Sequence, residues 1–401
     1  MRVQQLFLRP ALLCGLLLLC GYAVSGDTSV ITRGNLENCR TVFTLQKKGH
    51  VAFLGGSITE MEGYRPMVCE LLRKRFPETE FTITAAGIAS TTSMTGAFRL
   101  KDDVLSKGPV DLLLVDSAVN DDQDGHHSKA ECLRAAEGIV RNLRQHNPKA
   151  DVIFVEFVNE GLMDQYRKNQ TPIPMAAHEE VAAAYKVSIV NVCKAVTARI
   201  DAKEITWKQF GGVHPAPFGN RIAADMIGEL MDQCWKEPLA AGATPKDNSM
   251  PAKPLDELNY GGGRFLDPKE AKISEDWQLH VPDWKALPGG KRDRFNKLTM
   301  LESTKPGAAL TLEFAGSAIG AYIVAGPDAG IVEVSIDGGP TTKCDLYHHF
   351  SGGLHYPRTV MFADTLSAGK HTLSLKLSAD KNAASKGTAI RAMQFVVNEG
   401  K

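Results

Sequence analysis

The sequence predicts an α/β domain built on a parallel sheet, followed by an all-β domain, and three features carry that prediction. From Val51 to Trp235 short apolar runs alternate with stretches of helical period, the pattern of parallel strands covered by helices. Residues 236–253 are rich in alanine, proline and polar side chains and carry no apolar period, which reads as an interdomain linker. Beyond them the texture changes to short alternating runs punctuated by glycine and by Asp337-Gly338-Gly339, the pattern of an antiparallel sandwich. A chain of 401 residues has room for two units, each with its own core.

Four continuous apolar runs, at residues 51–54, 81–85, 110–115 and 151–157, suit buried parallel strands. Helical periodicity places helices at 66–75, 129–146, 175–197 and 219–235. In the second unit, strands are predicted at 310–314, 319–324, 332–336 and 371–377. No internal repeat is visible.

The first residues differ in character. Arg2 and Arg9 precede the apolar run Ala11-Leu12-Leu13-Cys14-Gly15-Leu16-Leu17-Leu18-Leu19-Cys20, and Ala23-Val24-Ser25 supplies small residues for cleavage. This is the layout of a secretory signal peptide over 1–25, whose apolar core is short for a membrane span, with an uncleaved anchor as the alternative. A lipoprotein site at Cys20 fits less well, because Leu19 stands where a small residue belongs. The reading divides the chain into a signal peptide (1–25), an α/β domain (27–235), a linker (236–253) and a β-sandwich (254–401), in a secreted or periplasmic protein.

Removal of the peptide leaves Cys39, Cys69, Cys132, Cys193, Cys234 and Cys344. Export permits disulfides, but the spacing does not define their connectivity. No Cys-x-x-Cys pair or zinc-finger histidine spacing occurs, so no metal site is expected. The 46 basic and 46 acidic residues balance without a basic stripe, which disfavours nucleic acid as a partner.

Chemistry concentrates in four short segments. Gly55-Gly56-Ser57-Ile58-Thr59 follows the first strand and puts a serine on the turn at its end. Gly87, Asn120 and His214 follow in chain order, each after or near a segment of the same α/β layer. Ester hydrolysis needs a nucleophile, a base for its proton and donors aimed at the developing oxyanion. Ser57 and His214 fit the first two roles. The Ser57 and Gly87 N–H groups with the Asn120 amide fit the third. Each residue also admits a structural reading: a helix-capping serine, a glycine at a special backbone angle, an Asx turn at Asn120 and a loop histidine.

Gly55-Gly56-Ser57-Ile58-Thr59, Ala85-Ala86-Gly87, Asp116-Ser117-Ala118-Val119-Asn120-Asp121 and Val213-His214-Pro215 resemble the four blocks of the SGNH (GDSL-type) hydrolases. The resemblance spans about 51–235. It implies a three-layer α/β/α fold, with Ser57, Gly87, Asn120 and His214 in the roles just described and no cofactor. Thr59 stands where the last glycine of Gly-x-Ser-x-Gly would be, so the α/β-hydrolase pattern does not fit. One departure is visible. The family usually carries an aspartate three residues before the histidine, and here that position is Gly211. The reading favours a Ser-His dyad, with Glu204 and Asp201 as the nearest upstream candidates for an acid partner.

Arg99 is expected in a structural ion pair rather than in substrate binding, and His178-Glu179, with contact to the site as the alternative, on a solvated helix face. The adjacent pairs His126-His127 and His348-His349 point apart and do not suggest a metal site. The second unit resembles the jelly-roll modules of secreted carbohydrate esterases. Its Trp277, Trp284, Tyr347 and Tyr356 are candidates for stacking on sugar or for core packing. The expected activity is therefore a serine esterase removing a small acyl group, acetyl foremost, from a glycan. A general short-chain esterase or lipase, and an inactive glycan-binding protein, are the alternatives.

Overall fold

A computed structural model of the chain describes residues 29–399. The predicted signal peptide, with Cys14 and Cys20, lies outside the described residues.

The first domain contains strands β1 (Val30–Ile31), β2 (Lys48–Gly55), β3 (Glu80–Gly87), β4 (Leu112–Asp116), β5 (Asp151–Glu156) and β6 (Ser188–Asn191). They form one sheet in the order β1-β6-β5-β4-β2-β3, parallel except for the short edge strand β1. Side chains alternate across a strand, and here the alternation fills two separate cores. Val51, Phe53, Leu112, Leu114, Ile153 and Val155 face one side, where they meet Leu36, Leu72, Val196 and Ile227. Ala52, Leu54, Leu113, Val115, Val152 and Phe154 face the other, against Phe98, Ile139, Leu143 and Tyr185. Burial on both faces explains why these strands read as continuous apolar runs.

The covering helices are α1 (Glu37–Thr41), α2 (Ser57–Glu60), α3 (Tyr64–Arg75), α4 (Ser93–Asp103), α5 (Ala118–Gln123), α6 (Lys129–His146), α7 (Glu160–Arg167), α8 (Ile173–Tyr185), α9 (Val192–Asp201), α10 (Trp207–Phe210) and α11 (Pro217–Cys234). Helix α6 begins at a capping box in which Ser128 and Glu131 satisfy each other's backbone donors.

The single helix predicted over 175–197 is a correction to make. The structure breaks it into α8, β6 and α9. Lys186 turns into the left-handed region at φ 55° and ends α8. The β-branched run Val187, Ile189 and Val190 then becomes the buried strand beside β5. Helix α4, absent from the sequence reading, packs Phe98 into the second core.

Residues 236–253 contain no helix or strand and run along the first domain. Lys246 N–H donates to Asn38 Oδ1 at 2.8 Å and Asn248 N–H to the Pro148 carbonyl at 2.8 Å. Buried Glu137 then accepts the N–H groups of Leu255 and Asp256.

The second domain is all-β. Its strands are β7 (Gly263–Leu266), β8 (Lys272–Ile273), β9 (Gln278–His280), β10 (Met300–Ser303), β11 (Ala309–Ala315), β12 (Ala318–Ala325), β13 (Ile331–Ile336), β14 (Thr342–Asp345), β15 (Tyr356–Ala363), β16 (Lys370–Leu377) and β17 (Ile390–Asn398). One antiparallel sheet runs β15-β12-β17-β10-β9 with β7 on β17, and the other runs β14-β13-β16-β11-β8. Strand β12 is buried throughout. Its Ile319, Ala321 and Ile323 enter the core between the two sheets, while Ala318, Tyr322 and Val324 join the first domain's second core with Phe98 and Tyr260. The two domains thus share a continuous apolar core, in which each large side chain fully buried contributes about 1.5–3 kcal/mol.

Candidate active site

Strands β2, β3 and β4 end in register: Gly55 pairs with Gly87 on one side and with Asp116 on the other. The chain leaves β2 for β3 at the edge and returns to β4 on the opposite side. Ligands of open α/β sheets bind beyond the carboxyl ends of the strands at such a switch point. Ser57 opens α2 two residues after β2 ends, Gly87 closes β3, and Asn120 lies in α5 just after β4.

Close approach demands the glycines. A Cβ on Gly56 would fall 1.9 Å from Asn120 Oδ1, and one on Gly87 would fall 2.3 Å from the Glu60 nitrogen. Both residues let backbone and amide gather around the first turn after Ser57. Asn120 is buried and donates from Nδ2 to Asp124 Oδ2 at 2.5 Å. An amide nitrogen has two hydrogens, and the second has no protein acceptor among the described residues.

His214 comes from the far end of the domain, on the loop between α10 and α11. Its Nε2 lies 2.8 Å from Ser57 Oγ, within reach for proton transfer. Ser57 is partly buried and His214 is exposed, so the pair is accessible to a substrate.

Residues 53–222 match the model of the GDSL-like Lipase/Acylhydrolase family. The chain contains a GDSL-like acylhydrolase domain. That domain is of the serine-hydrolase class that acts on ester bonds. Two crystal structures of a two-domain esterase (CEX) active on acetylated mannans, one co-crystallised with mannopentaose, share the fold of both domains. Each is 21% identical at a TM-score of 0.73, covering 93% of this chain and 97% or 98% of that one. An acetylxylan esterase from Geobacillus stearothermophilus aligns over 46% of this chain and 94% of its own, at 18% identity and a TM-score of 0.36. No curated protein matches the chain.

In the acylhydrolase domain neither upstream acid reaches the histidine. Asp201 is bound by Arg167, and Glu204 is exposed without a contact to His214. Among the described residues Ser57 Oγ is the sole hydrogen-bond partner of His214. Gly211 caps α10 at φ 110°, a conformation costly for any residue with a Cβ.

Asn220, which sequence reasoning passed over, staples this loop to the nucleophile side. Its Nδ2 donates to the Pro215 carbonyl at 2.5 Å, and its Oδ1 accepts the Tyr64 N–H at 2.8 Å. Thr59 completes the other flank, donating to Asp116 Oδ2 at 3.0 Å and meeting the Tyr64 hydroxyl at 2.9 Å. Burial raises the Asp116 carboxyl to about 7.

The solvated face expected for His178 is a second correction. His178 is buried between Asp121 Oδ2 at 3.7 Å and Glu156 Oε1 at 3.5 Å. Burial works against its charged form, but the two carboxylates outweigh it and raise its pKa to about 9. A signal was present: Met175, His178, Val181, Ala182 and Tyr185 lie on one helical stripe. Arg99 forms the expected ion pair, with Asp103 at 2.8 Å, and also donates to the Gly55 carbonyl at 3.0 Å.

Trp277 and Tyr356 are buried, and Trp284 and Tyr347 are partly so. The six described cysteines are free thiols. Among the described residues no helix is long and apolar enough to cross a membrane, and no cluster of three metal-ligating side chains occurs.

Proposed function

We propose that the protein is a secreted serine esterase that removes small acyl groups, acetyl foremost, from a carbohydrate. The 2.8 Å contact of His214 Nε2 with Ser57 Oγ, at the carboxyl ends of the central strands, carries the reading. Ser57 Oγ attacks the ester carbonyl as His214 Nε2 takes its proton. The carbonyl oxygen becomes negative in the tetrahedral intermediate and accepts hydrogen bonds from the Ser57 N–H, the Gly87 N–H and the second N–H of Asn120. Collapse of the intermediate expels the sugar alkoxide, which receives the proton from His214. Water, deprotonated by His214, then attacks the acyl-Ser57 ester and releases the acid and free Ser57.

Acetylated glycans are the first substrates to test, because the two-domain fold is shared with an esterase active on acetylated mannans. The amino-terminal signal-peptide pattern supports export. The decisive experiment is acetate release from acetylated mannan, acetylated xylan and p-nitrophenyl acetate by the wild type and by Ser57→Ala. Release that depends on Ser57 supports the esterase. One observation favours a second reading: among the described residues His214 has no acid partner, as in an inactive glycan-binding descendant. Failure of a fluorophosphonate to label Ser57, together with measurable glycan affinity, would support that alternative.

A further inference from the structure

The acylhydrolase residues do not hold their oxyanion donors alone. Asp124 ends α5, and its Oδ2 accepts the Asn120 amide at 2.5 Å. Its other oxygen, Oδ1, is 2.7 Å from the hydroxyl of Tyr356, which belongs to the β domain and is 232 residues away in sequence. His348, from the same domain, donates through Nε2 to the Asp124 carbonyl at 2.8 Å, while its Nδ1 accepts the Phe350 N–H at 3.3 Å. Those two bonds define one neutral tautomer. Burial lowers the His348 pKa to about 4, which keeps the ring in that form near neutral pH. The Tyr356 and His348 rings stack at 4.1 Å with an angle of 9°, so each fixes the other.

Asn120, Asp124, His348 and Tyr356 are all buried. The contacts therefore operate away from bulk water, where a charge-assisted hydrogen bond is at its strongest. The β domain also grips the second donor. Arg294 donates to the Gly87 carbonyl at 3.1 Å and pairs with Glu60 at 3.1 Å. Arg292 holds the Ala89 carbonyl at 2.7 Å and Ser90 Oγ at 2.8 Å on the same loop.

We infer that the β domain is a positioning element of the oxyanion hole, in which Tyr356 acts through Asp124 to orient the Asn120 amide toward the reacting carbonyl. The relay rests on the oxyanion role given to Asn120 above. With one amide hydrogen committed to Asp124, the direction of the other is set by the carboxylate, and the carboxylate is aimed by the tyrosine hydroxyl. The shared apolar core behind β12 keeps this arrangement rigid, because the domains cannot shift without exposing it.

The test is a double-mutant cycle on the full chain, with p-nitrophenyl acetate turnover and the rate of Ser57 labelling by a fluorophosphonate as readouts. Tyr356→Phe removes the hydroxyl and keeps the ring on His348. It is expected to lower kcat about 10- to 100-fold with little change in KM and a near-native melting temperature. Asn120→Ala is expected to lower kcat further. The double variant should match Asn120→Ala alone, since the tyrosine has nothing left to orient. Wild-type kcat in Tyr356→Phe, or a loss that simply multiplies with that of Asn120→Ala, overturns the relay and leaves the oxyanion reading standing. Unchanged kcat in Asn120→Ala, or no Ser57-dependent turnover or labelling in the wild type, overturns both. Should Tyr356→Phe unfold the protein, Asp124→Asn supplies the same cycle with the same criteria.

Discussion

A Cβ at position 211 would fall 2.0 Å from the backbone nitrogen of Ala216. Ala216 N–H donates to the Phe210 carbonyl at 2.8 Å, so the loop carrying His214 is closed over that glycine. The aspartate usual at this place in the family could not be restored by simple substitution. Gly211→Asp is expected to lose rather than gain activity. Gly211→Ala should destabilise the protein by at least about 1–2 kcal/mol from its left-handed backbone alone. Urea unfolding midpoints and kcat of both variants check this, and a Gly211→Asp enzyme faster than the wild type would show that the loop can reopen.

Asn220 is buried and holds the Pro215 carbonyl and the Tyr64 N–H together. Asn220→Ala leaves both groups unpaired, a cost of about 1–3 kcal/mol for each buried group. Because the staple ties the loop carrying His214 to the helix that follows Ser57's turn, kcat should fall with little change in KM. Thermal melts and steady-state kinetics measure the two effects separately.

Ser57→Ala should abolish ester hydrolysis while the fold survives, because Ser57 is partly buried and its Oγ hydrogen-bonds among the described residues to His214 alone. Asn120→Ala should lower kcat by about 10²–10³, the effect of one oxyanion donor, with substrate binding nearly unchanged. Circular dichroism alongside the kinetics separates lost chemistry from lost structure.

His178 carries a pKa of about 9 in the fold, against 6.5 for a free imidazole. The folded state therefore holds a proton that the unfolded chain releases between those values. The stability contributed by the Asp121–His178–Glu156 group is complete below about pH 6.5 and is lost as pH rises through about 9. Urea midpoints across this range should decline in the wild type. His178→Gln should be less stable at the acidic end and lack this part of the slope. An identical pH dependence in the two proteins would assign the titration elsewhere.

Much of this was legible locally. Gly56, Ser57, Gly87 and Asn120 sit on or just beyond strand-end turns, where an apolar run stops and glycine or polar residues begin. The β12 run from Ala318 to Ala325 was visible as a strand, but its unbroken apolar character also recorded a second buried face against the acylhydrolase domain. The segment 175–197 misled because alanine-rich helix and short buried strand share the same apolar content. Only the left-handed turn at Lys186 separates them.

Residue order and type alone were enough for two unlike domains and the strand-end serine. These properties depend on periodicity and turn chemistry within a few residues. The 2.8 Å approach of His214 to Ser57, the burial of His178, the staple at Asn220 and the reach of Tyr356 to Asp124 emerged only in three dimensions. Each joins segments far apart in the chain. Such contacts are selected by how sheets and helices stack around shared cores, and that packing leaves no period in the sequence to read.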